Sequence, residues 1–219
     1  MTDTNLPDVK TVRIALPPGV LKFPALLAPS APPWSDKEKY QAKIVWPKDE
    51  IEAHPQWAEL QKLILLYGAD RLGLKHIGTR KDGTHYPKFD INGLIDGDES
   101  DKEYDKGTWG VRATANPQFP PLVLGPDGKA MKEDPDGLIF TGQIAQMVIG
   151  FYFYNNDYSG LSFNLLGVKI VGGGERGVQG LPLMSEDDMA DALTSVPALG
   201  QDAPVKAALP EPSIDDLKF

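Results

Sequence analysis

Tyrosine side chains in the second half of the chain have the type and spacing for stacking on unpaired nucleic-acid bases. Residues 143–154 alternate, as a β-strand does, between an apolar face with Phe151 and Phe153 and a second face with Tyr152 and Tyr154. A tyrosine on a solvated sheet surface stacks on a base with about 1–3 kcal/mol and without sequence preference. The same pattern also fits tyrosines beneath a loop, in a second core or at an oligomer interface.

Aromatic and basic residues are interleaved in two other parts of the chain. Lysines surround the aromatic residues near the start of the chain, and Trp109 precedes Arg112 within one predicted strand. A groove for a single strand needs this combination, because cations attract phosphates while rings stack on bases. Lys43 lies on the opposite face of its strand from Tyr40 and Trp46, so one strand cannot direct all three toward one ligand. The predicted DNA-binding residues are Trp34, Lys37, Lys39, Tyr40, Lys43, Trp109, Arg112, Tyr152 and Tyr154, with Tyr158 in the following turn as a further candidate.

A basic segment near the middle of the chain offers a second set of candidates. Arg80 and Lys81 precede Tyr86, Lys88 and Phe89 in a polar, turn-rich stretch. These residues fit a mobile clamp on nucleic acid, and they fit equally a solvated basic loop around a buried Phe89.

Residue types needed for catalysis or metal binding are scarce. Three histidines and no cysteines exclude a thiolate zinc site and a cysteine nucleophile. The acidic run at residues 96–101 begins like a calcium-binding loop, but Asp101 and Gly107 stand where that loop needs glycine and glutamate. The glycine-rich run at residues 172–177 lacks the Lys-Ser/Thr of a phosphate-binding loop. The sequence predicts no enzyme, no metal and no cofactor, with a metal-dependent nuclease built on the acidic run as the catalytic alternative.

The 219 residues carry a net charge of −9 that is unevenly distributed. Residues 181–219 hold eight Asp and Glu against two Lys, which leaves only −3 on the rest of the chain. From about residue 194, prolines interleave with small and acidic residues, which predicts disorder. No stretch approaches the roughly 20 apolar residues of a membrane span, and the first residues lack the features of a signal peptide. We therefore expect no membrane partner, and a location in the cytoplasm of a cell or of an infected host.

Turn residues divide the chain into short segments. Glycine and proline together make up 42 of the 219 residues, which predicts many turns between antiparallel strands. One stretch has a helical period, beginning at His54 and ending at Gly68. The predicted strands cover residues 11–16, 40–46, 107–115, 137–154 with an interruption at Gly142, and 161–171; residues 79–106 form an insertion, and a weaker helix covers residues 185–193.

The last predicted strand changes its phase once. Apolar residues occupy odd positions up to Leu165 and even positions from Leu166 to Ile170. This predicts a β-bulge near residues 165–167, which is how a sheet bends into a small barrel. The predicted fold is mainly β: an OB-fold-like curved antiparallel barrel with one main helix and insertions in residues 1–180, followed by a largely disordered acidic C-terminal tail at residues 181–219. A jelly roll is the alternative.

The last nine residues, Glu-Pro-Ser-Ile-Asp-Asp-Leu-Lys-Phe, resemble the acidic tails of bacterial and phage single-stranded DNA-binding proteins. In that class the terminal Phe and carboxylate dock into basic-rimmed pockets on replication and repair proteins, while the acidic residues compete with DNA for the barrel. The resemblance implies this role for Ile214, Asp215, Asp216, Leu217 and Phe219. A charged terminus that only aids solubility is the alternative.

The body is similar to a family of tailed-phage single-stranded DNA-binding proteins over residues 10–172. It shares the alternation Tyr-x-Ala-x-Ile-x-Trp at residues 40–46, the run Gly-Thr-Trp-Gly-Val-Arg-Ala at residues 107–113, and the segment 142–166. The resemblance implies an OB fold, sequence-independent binding of single-stranded DNA, and a role in phage replication, recombination or repair.

Together these features predict a non-enzymatic protein that coats unpaired DNA and recruits replication or recombination proteins through its tail, with homo-oligomerisation left open. The alternative is a non-enzymatic phage structural or assembly protein with a jelly-roll-like fold. In that alternative the surface tyrosines form a subunit interface.

Overall fold

The computed structural model describes residues 6–31, 36–155 and 157–176, except for the side chain of Tyr104. Trp34, the helix predicted at residues 185–193 and the tail predicted at residues 181–219 lie outside these ranges, so those statements stay predictions. The division of the chain at residue 180 also stays a prediction. Within the described ranges, no helix combines the length and the apolar character needed to cross a membrane.

The described part of the chain is mainly β-structure with one long helix. The strands are β1 Ile14–Ala15, β2 Gly19–Ser30, β3 Lys39–Pro47, β4 Ile77–Thr79, β5 His85–Pro87, β6 Asp90–Asn92, β7 Leu94–Asp96, β8 Thr108–Ala115, β9 Leu122–Leu124, β10 Gln143–Asn155 and β11 Ser159–Gly174, and the helices are α1 Lys48–Glu52 and α2 Pro55–Leu72. Short 3-10 turns lie at Val9–Thr11, Leu74–His76, Gly97–Glu99 and Glu103–Asp105.

Five of the strands close into a barrel. β2 pairs with β3, β3 with β8, and β10 with both β11 and β2, all in antiparallel orientation. β8 and β11 close the ring in parallel orientation through the pair Thr114 and Asn164. A closed five-stranded ring of this kind is the OB architecture, whereas a jelly roll has eight strands in two sheets. The predicted fold class is confirmed.

Three short strands extend the sheet beside β8 and β11, two of them (β6 and β7) from the predicted insertion and one (β9) that follows β8. β7 pairs antiparallel with β8, while β6 and β9 pair in parallel with β11. The turn between β6 and β7 places the carbonyl of Gly93 2.7 Å from the backbone N–H of Arg112. Gly93 has φ 113°, and a Cβ there would lie 2.4 Å from a backbone oxygen, so the position requires glycine. Part of the predicted insertion therefore belongs to the barrel wall.

The apolar faces of β10 and β11 form the centre of the core. Met147, Ile149 and Phe163 are almost fully buried inside the barrel. Val148 lies opposite Gly167, and the next residue of β10 lies opposite Leu165, so β11 has one extra residue at this point. The predicted bulge is therefore confirmed, and it explains why the apolar phase of β11 changes there.

Helix α2 begins where the sequence predicts but ends one turn later. His54 caps its first turn, with Nδ1 accepting a backbone hydrogen bond at 3.2 Å. The prediction that Gly68 ends the helix is wrong, because the helix continues to Leu72 and ends at Gly73, which has φ 92°. Gly68 has a packing role instead, since a Cβ there would lie 2.5 Å from the ring of Phe89.

Strand β2 has no counterpart among the predicted strands. Prolines interrupt its sequence, Phe23 has φ 49°, and its register with β3 shifts twice, so the alternation is broken while the strand bends around the barrel. Of the predicted strand at residues 11–16, only Ile14–Ala15 pairs. The predicted interruption at Gly142 is confirmed, but residues 137–140 are irregular and residues 141–142 form a turn, so the strand begins only at Gln143.

Candidate nucleic-acid interface

A row of polar side chains crosses the outside of the barrel. Tyr152 of β10 lies opposite Ser162 of β11, and Ser162 lies opposite Asn92 of β6. The guanidinium of Arg112 on β8 donates to Oδ1 of Asn92 at 3.0 Å, and Arg112 is in register with Lys43 of β3. Residues directly opposite one another share a face of the sheet. With the residue opposite Lys43 on β2, they form what we call the outer row: Tyr152, Ser162, Asn92, Arg112, Lys43 and Lys22.

Three tyrosines lie on or beside the β10 end of the outer row. The side chains of Tyr152 and Tyr158 are exposed, at 56% and 81% respectively. Tyr154 faces the same way as Tyr152, with its ring over Gly160 and its hydroxyl donating to Oδ2 of Asp90 at 3.1 Å. Burial, and then the hydrogen bond to Asp90, raise the pKa of Tyr154, so its hydroxyl stays neutral at physiological pH. The outer row thus ends in the exposed ring of Tyr152, and the exposed ring of Tyr158 and the fixed ring of Tyr154 follow along the chain.

The structure places Lys43 in a buried ion pair. Its Nζ lies 3.1 Å from Oδ1 of Asp105, and Ser100 donates a hydrogen bond to the other oxygen of that carboxylate at 3.3 Å. The side chain of Lys43 crosses Gly110, where a Cβ would lie 2.9 Å from its Cε. Lys43 was predicted to contact phosphates, but its charge is already compensated inside the protein. We therefore no longer propose it as a phosphate-binding residue.

The acidic run at residues 96–101 is folded onto the barrel. Residues 96–107, which we call the acidic loop, are held by Lys48, whose ammonium pairs with both Asp96 and Asp98. The carboxylate of Asp98 also accepts the backbone N–H of Gly107 at 2.7 Å. The hydrogen bond from Lys48, followed by that from Gly107, lowers the pKa of Asp98. Among the described residues, no group of three or more potential ligands is arranged to bind a metal.

Trp109 and Tyr40 face the inside of the barrel wall rather than the outer row. Trp109 packs against Trp57 of α2 with ring centroids 5.5 Å apart, and its Nε1 donates to Oε1 of Glu52 at 2.7 Å. The ammonium of Lys48 lies 5.0 Å from the ring centroid of Trp109. Tyr40 is half-buried against the core. Both rings have packing partners within the protein, so we no longer propose Trp109 and Tyr40 as residues that stack on bases.

Two of the predicted lysines are exposed near the start of β3. Lys39 lies opposite Ser30 of β2, and Lys37 precedes it in the connection between the two strands. Trp34, in the same connection, lies outside the described residues.

Three residues of the outer row were missed in the sequence. Asn92 precedes a glycine, and this Asn-Gly pair signalled a tight turn. Ser162 carries no pattern of its own, and Lys22 belongs to the strand whose alternation is broken. The sequence does not predict that these residues lie together, because the row is assembled across six strands.

Comparison with solved structures finds this architecture in phage proteins. The single-stranded DNA-binding protein from bacteriophage Enc34, in complex with ssDNA, has a TM-score of 0.59 and 20% sequence identity over 77% of this chain and 89% of its own. The chain has the fold of these phage proteins. The T7 protein gp2.5, also a single-stranded DNA-binding protein, has a TM-score of 0.50 and 16% identity over 88% of this chain and 99% of its own.

The resemblance of the body of the chain to phage single-stranded DNA-binding proteins is confirmed at the level of the fold. No protein-family model and no curated protein sequence matches the chain. The fold is thus established by the structural comparison.

Proposed function

We propose that this chain binds single-stranded DNA, without sequence preference, across the outer row. The observation that carries the proposal is the connection of Tyr152 to Arg112 through Ser162 and Asn92 on one exposed face. A DNA strand that crosses this face meets the exposed ring of Tyr152 on β10 and the guanidinium of Arg112 on β8. These are the two contacts that a single strand needs, stacking for its bases and a cation for its phosphates.

The position of the outer row in the fold supports the proposal. OB folds bind oligonucleotides on the face of their second and third strands and with the loops after the first and fourth strands. In this barrel those strands are β3 and β8, and the two connections contain Lys37 and Tyr158. The solved proteins of this fold are described as single-stranded DNA-binding proteins, and one of them was solved with ssDNA.

The proposed contacts are a reduced set of those predicted from the sequence. Lys43, Tyr40 and Trp109 are left out, for the reasons given above. The proposed stacking residues are Tyr152, Tyr154 and Tyr158, with Trp34 kept as a prediction, and the proposed phosphate-binding residues are Lys37, Lys39 and Arg112.

The proposed role is to coat transiently unpaired DNA during phage replication, recombination or repair, without catalysing a reaction. A coated strand neither re-anneals nor offers its backbone to nucleases. Because residues 1–180 carry a net charge of only −3, we expect moderate affinity with a clear dependence on salt. The expected location is the host cytoplasm.

We also propose that the acidic tail recruits partner proteins and competes with DNA. Deletion of residues 214–219 should raise the affinity for single-stranded DNA and abolish capture of replication or recombination proteins. The double substitution Asp215→Asn and Asp216→Asn should affect mainly the competition, whereas Phe219→Ala should affect mainly partner capture. Unchanged DNA affinity and unchanged partner capture in the deletion would contradict a role for the tail.

The test of the main proposal is fluorescence anisotropy with a labelled oligo-dT of about 30 nucleotides and with the matching duplex, at two salt concentrations. We expect the single strand to bind more tightly than the duplex, and its affinity to fall as salt rises. Phe119→Ala serves as a control, because Phe119 is a 72% exposed aromatic residue outside the outer row. Absence of binding by both the intact and the tail-deleted protein would contradict the proposal.

A further inference from the structure

A small hairpin lies between α2 and β6 in the chain. Strands β4 and β5 form a two-stranded sheet of their own, separate from the barrel sheet. The turn that joins them is ordered by Asp82, whose Oδ1 accepts hydrogen bonds from the backbone N–H of Thr84 at 2.9 Å and from its hydroxyl at 2.6 Å. Gly83 has φ 87°, as a tight reversal requires. The hairpin is therefore a formed element rather than the loose loop that its composition suggests.

The hairpin carries a concentration of positive charge in an acidic chain. Residues 75–88 contain four Lys and Arg against one acid, while the whole chain has a net charge of −9. All four basic side chains are exposed, and none forms an ion pair with a carboxylate in the part of the chain that the structure describes. The four are Lys75, Arg80, Lys81 and Lys88. Lys43 and Lys48 are compensated by carboxylates, so the hairpin differs from the barrel wall in leaving its cations available to an external anion.

The hairpin also presents an aromatic ring beside these cations. Tyr86 lies across Gly78, where a Cβ would lie 2.3 Å from the ring. The guanidinium carbon of Arg80 lies 5.7 Å from the ring centroid of Tyr86. A planar ring next to a guanidinium is a surface on which a base can stack while its phosphate is neutralised. The hairpin thus repeats, on a smaller scale, the chemistry of the outer row.

The base of the hairpin is joined directly to the tyrosine end of the outer row. Phe89, which follows the hairpin, contacts Phe153 of β10 with ring centroids 6.4 Å apart. The next residue, Asp90, accepts the hydrogen bond of Tyr154. A DNA strand that continues past the end of β10 on this side would therefore meet the hairpin.

We propose that the hairpin at residues 77–87, with Lys75 and Lys88, binds the continuation of the same single strand beyond the outer row. Arg80, Lys81 and Lys88 contact phosphates, and Tyr86 supplies a further stacking surface. The inference rests on the proposed function, and it adds that the binding site is longer than the barrel face.

The test compares two lengths of oligo-dT with a triple variant, Arg80→Ala, Lys81→Ala and Lys88→Ala. Single OB folds cover about 4–16 nucleotides, so a strand of about 10 samples the barrel and one of about 30 reaches the hairpin. We expect the variant to lose about tenfold in affinity for the long strand and less than twofold for the short one. The salt slope for the long strand should fall by about 2, because each lost phosphate contact on a single strand removes about 0.7.

A second triple variant, Lys62→Ala, Lys129→Ala and Lys132→Ala, is the control for net charge, since it removes three exposed cations outside the hairpin and the outer row. This control variant should change the affinity for the short and for the long oligo-dT by less than twofold. If the hairpin variant loses the same affinity for both lengths of oligo-dT, or loses none for the long one, the inference is overturned. Binding by the parent protein would still support the proposed function in either case. An equal loss on duplex DNA would overturn the assignment to a single strand. If the parent protein binds neither length, the proposed function itself fails. Unchanged melting temperatures show that the variants remain folded.

Discussion

The ammonium of Lys43 lies 3.1 Å from the carboxylate of Asp105, and both side chains are buried. The pair fastens the acidic loop across β3 and β8, the strands on which OB folds bind oligonucleotides. An internal carboxylate thus occupies the place beside Lys43 that a phosphate would otherwise take. Four of the six residues of the outer row, from Arg112 to Tyr152, lie to one side of this buried pair.

Loss of this carboxylate should destabilise the fold. Asp105→Ala leaves the charge of Lys43 buried without a partner, which we expect to lower the free energy of unfolding by about 3–5 kcal/mol. Urea denaturation measures this difference. The double variant Lys43→Met and Asp105→Leu removes both charges and should recover most of the lost stability. If Asp105→Ala unfolds at the same urea concentration as the parent protein, the ion pair does not stabilise the fold.

The exposed ring of Tyr152 should contribute directly to DNA affinity. Tyr152→Ala should weaken binding of an oligo-dT of about 30 nucleotides by about 1–3 kcal/mol, since one stacking contact is lost. Tyr152→Phe keeps the ring and should bind like the parent. Because the side chain is 56% exposed, neither substitution should change the free energy of unfolding by more than about 0.5 kcal/mol. Equal affinities of the alanine and phenylalanine variants in anisotropy titrations would contradict a stacking role.

Arg112 should contribute through its charge. Arg112→Ala should weaken binding at low salt and reduce the slope of log affinity against log salt by about 0.7, the contribution of one phosphate contact on a single strand. Asn92→Ala removes the side chain that orients the guanidinium but leaves the charge, so it should weaken binding while leaving the slope unchanged. Titrations at four or more salt concentrations distinguish the two effects. An unchanged slope in Arg112→Ala would place this residue outside the binding site.

Gly68 should be required for packing and not for helix termination. Gly68→Ala improves helix propensity by about 1 kcal/mol, yet its Cβ would lie 2.5 Å from the ring of Phe89. We expect a net loss of about 1–2 kcal/mol in the free energy of unfolding, because the overlap costs more than the propensity gains. Combining Gly68→Ala with Phe89→Leu should relieve the overlap, so the two substitutions should not be additive in chemical denaturation. A stabilised Gly68→Ala variant would mean that the ring of Phe89 moves freely.

The contacts of Asp98 should make stability depend on acid pH. Its pKa is lower in the folded protein than the unfolded value of 3.8, so the carboxylate stabilises the fold above that value and ceases to do so as pH falls through the folded pKa. Asp98→Asn should therefore lower the melting temperature at pH 7, and the difference from the parent should shrink below about pH 4. Asp101→Asn, an exposed position in the same loop, is the matched control. A difference of the same size at pH 7 and pH 3 would contradict this account.

Local patterns in the sequence determined four of the five barrel strands and the start of the long helix. Strand β10 and the bulge in β11 follow from side-chain alternation, because the side chains of a strand repeat every two residues. The start of α2 follows from the cap at His54. The patterns failed at β2, where prolines and a bend break the alternation, and at Gly68, whose glycine serves a contact with a distant ring.

The composition of the candidate site was decided by the tertiary structure. Trp109 and Arg112 lie three residues apart in one strand and therefore on opposite faces, but only the tertiary structure shows that α2 covers the face of Trp109 and that Arg112 lies on the outer face. Lys43 is buried because Asp105, which follows it by 62 positions, returns to the barrel. The chain determined which residue types were present, whereas the closure of the barrel determined which of them share a surface. The reason is that alternation specifies the face of each residue within a strand, while contacts between distant strands decide what covers that face.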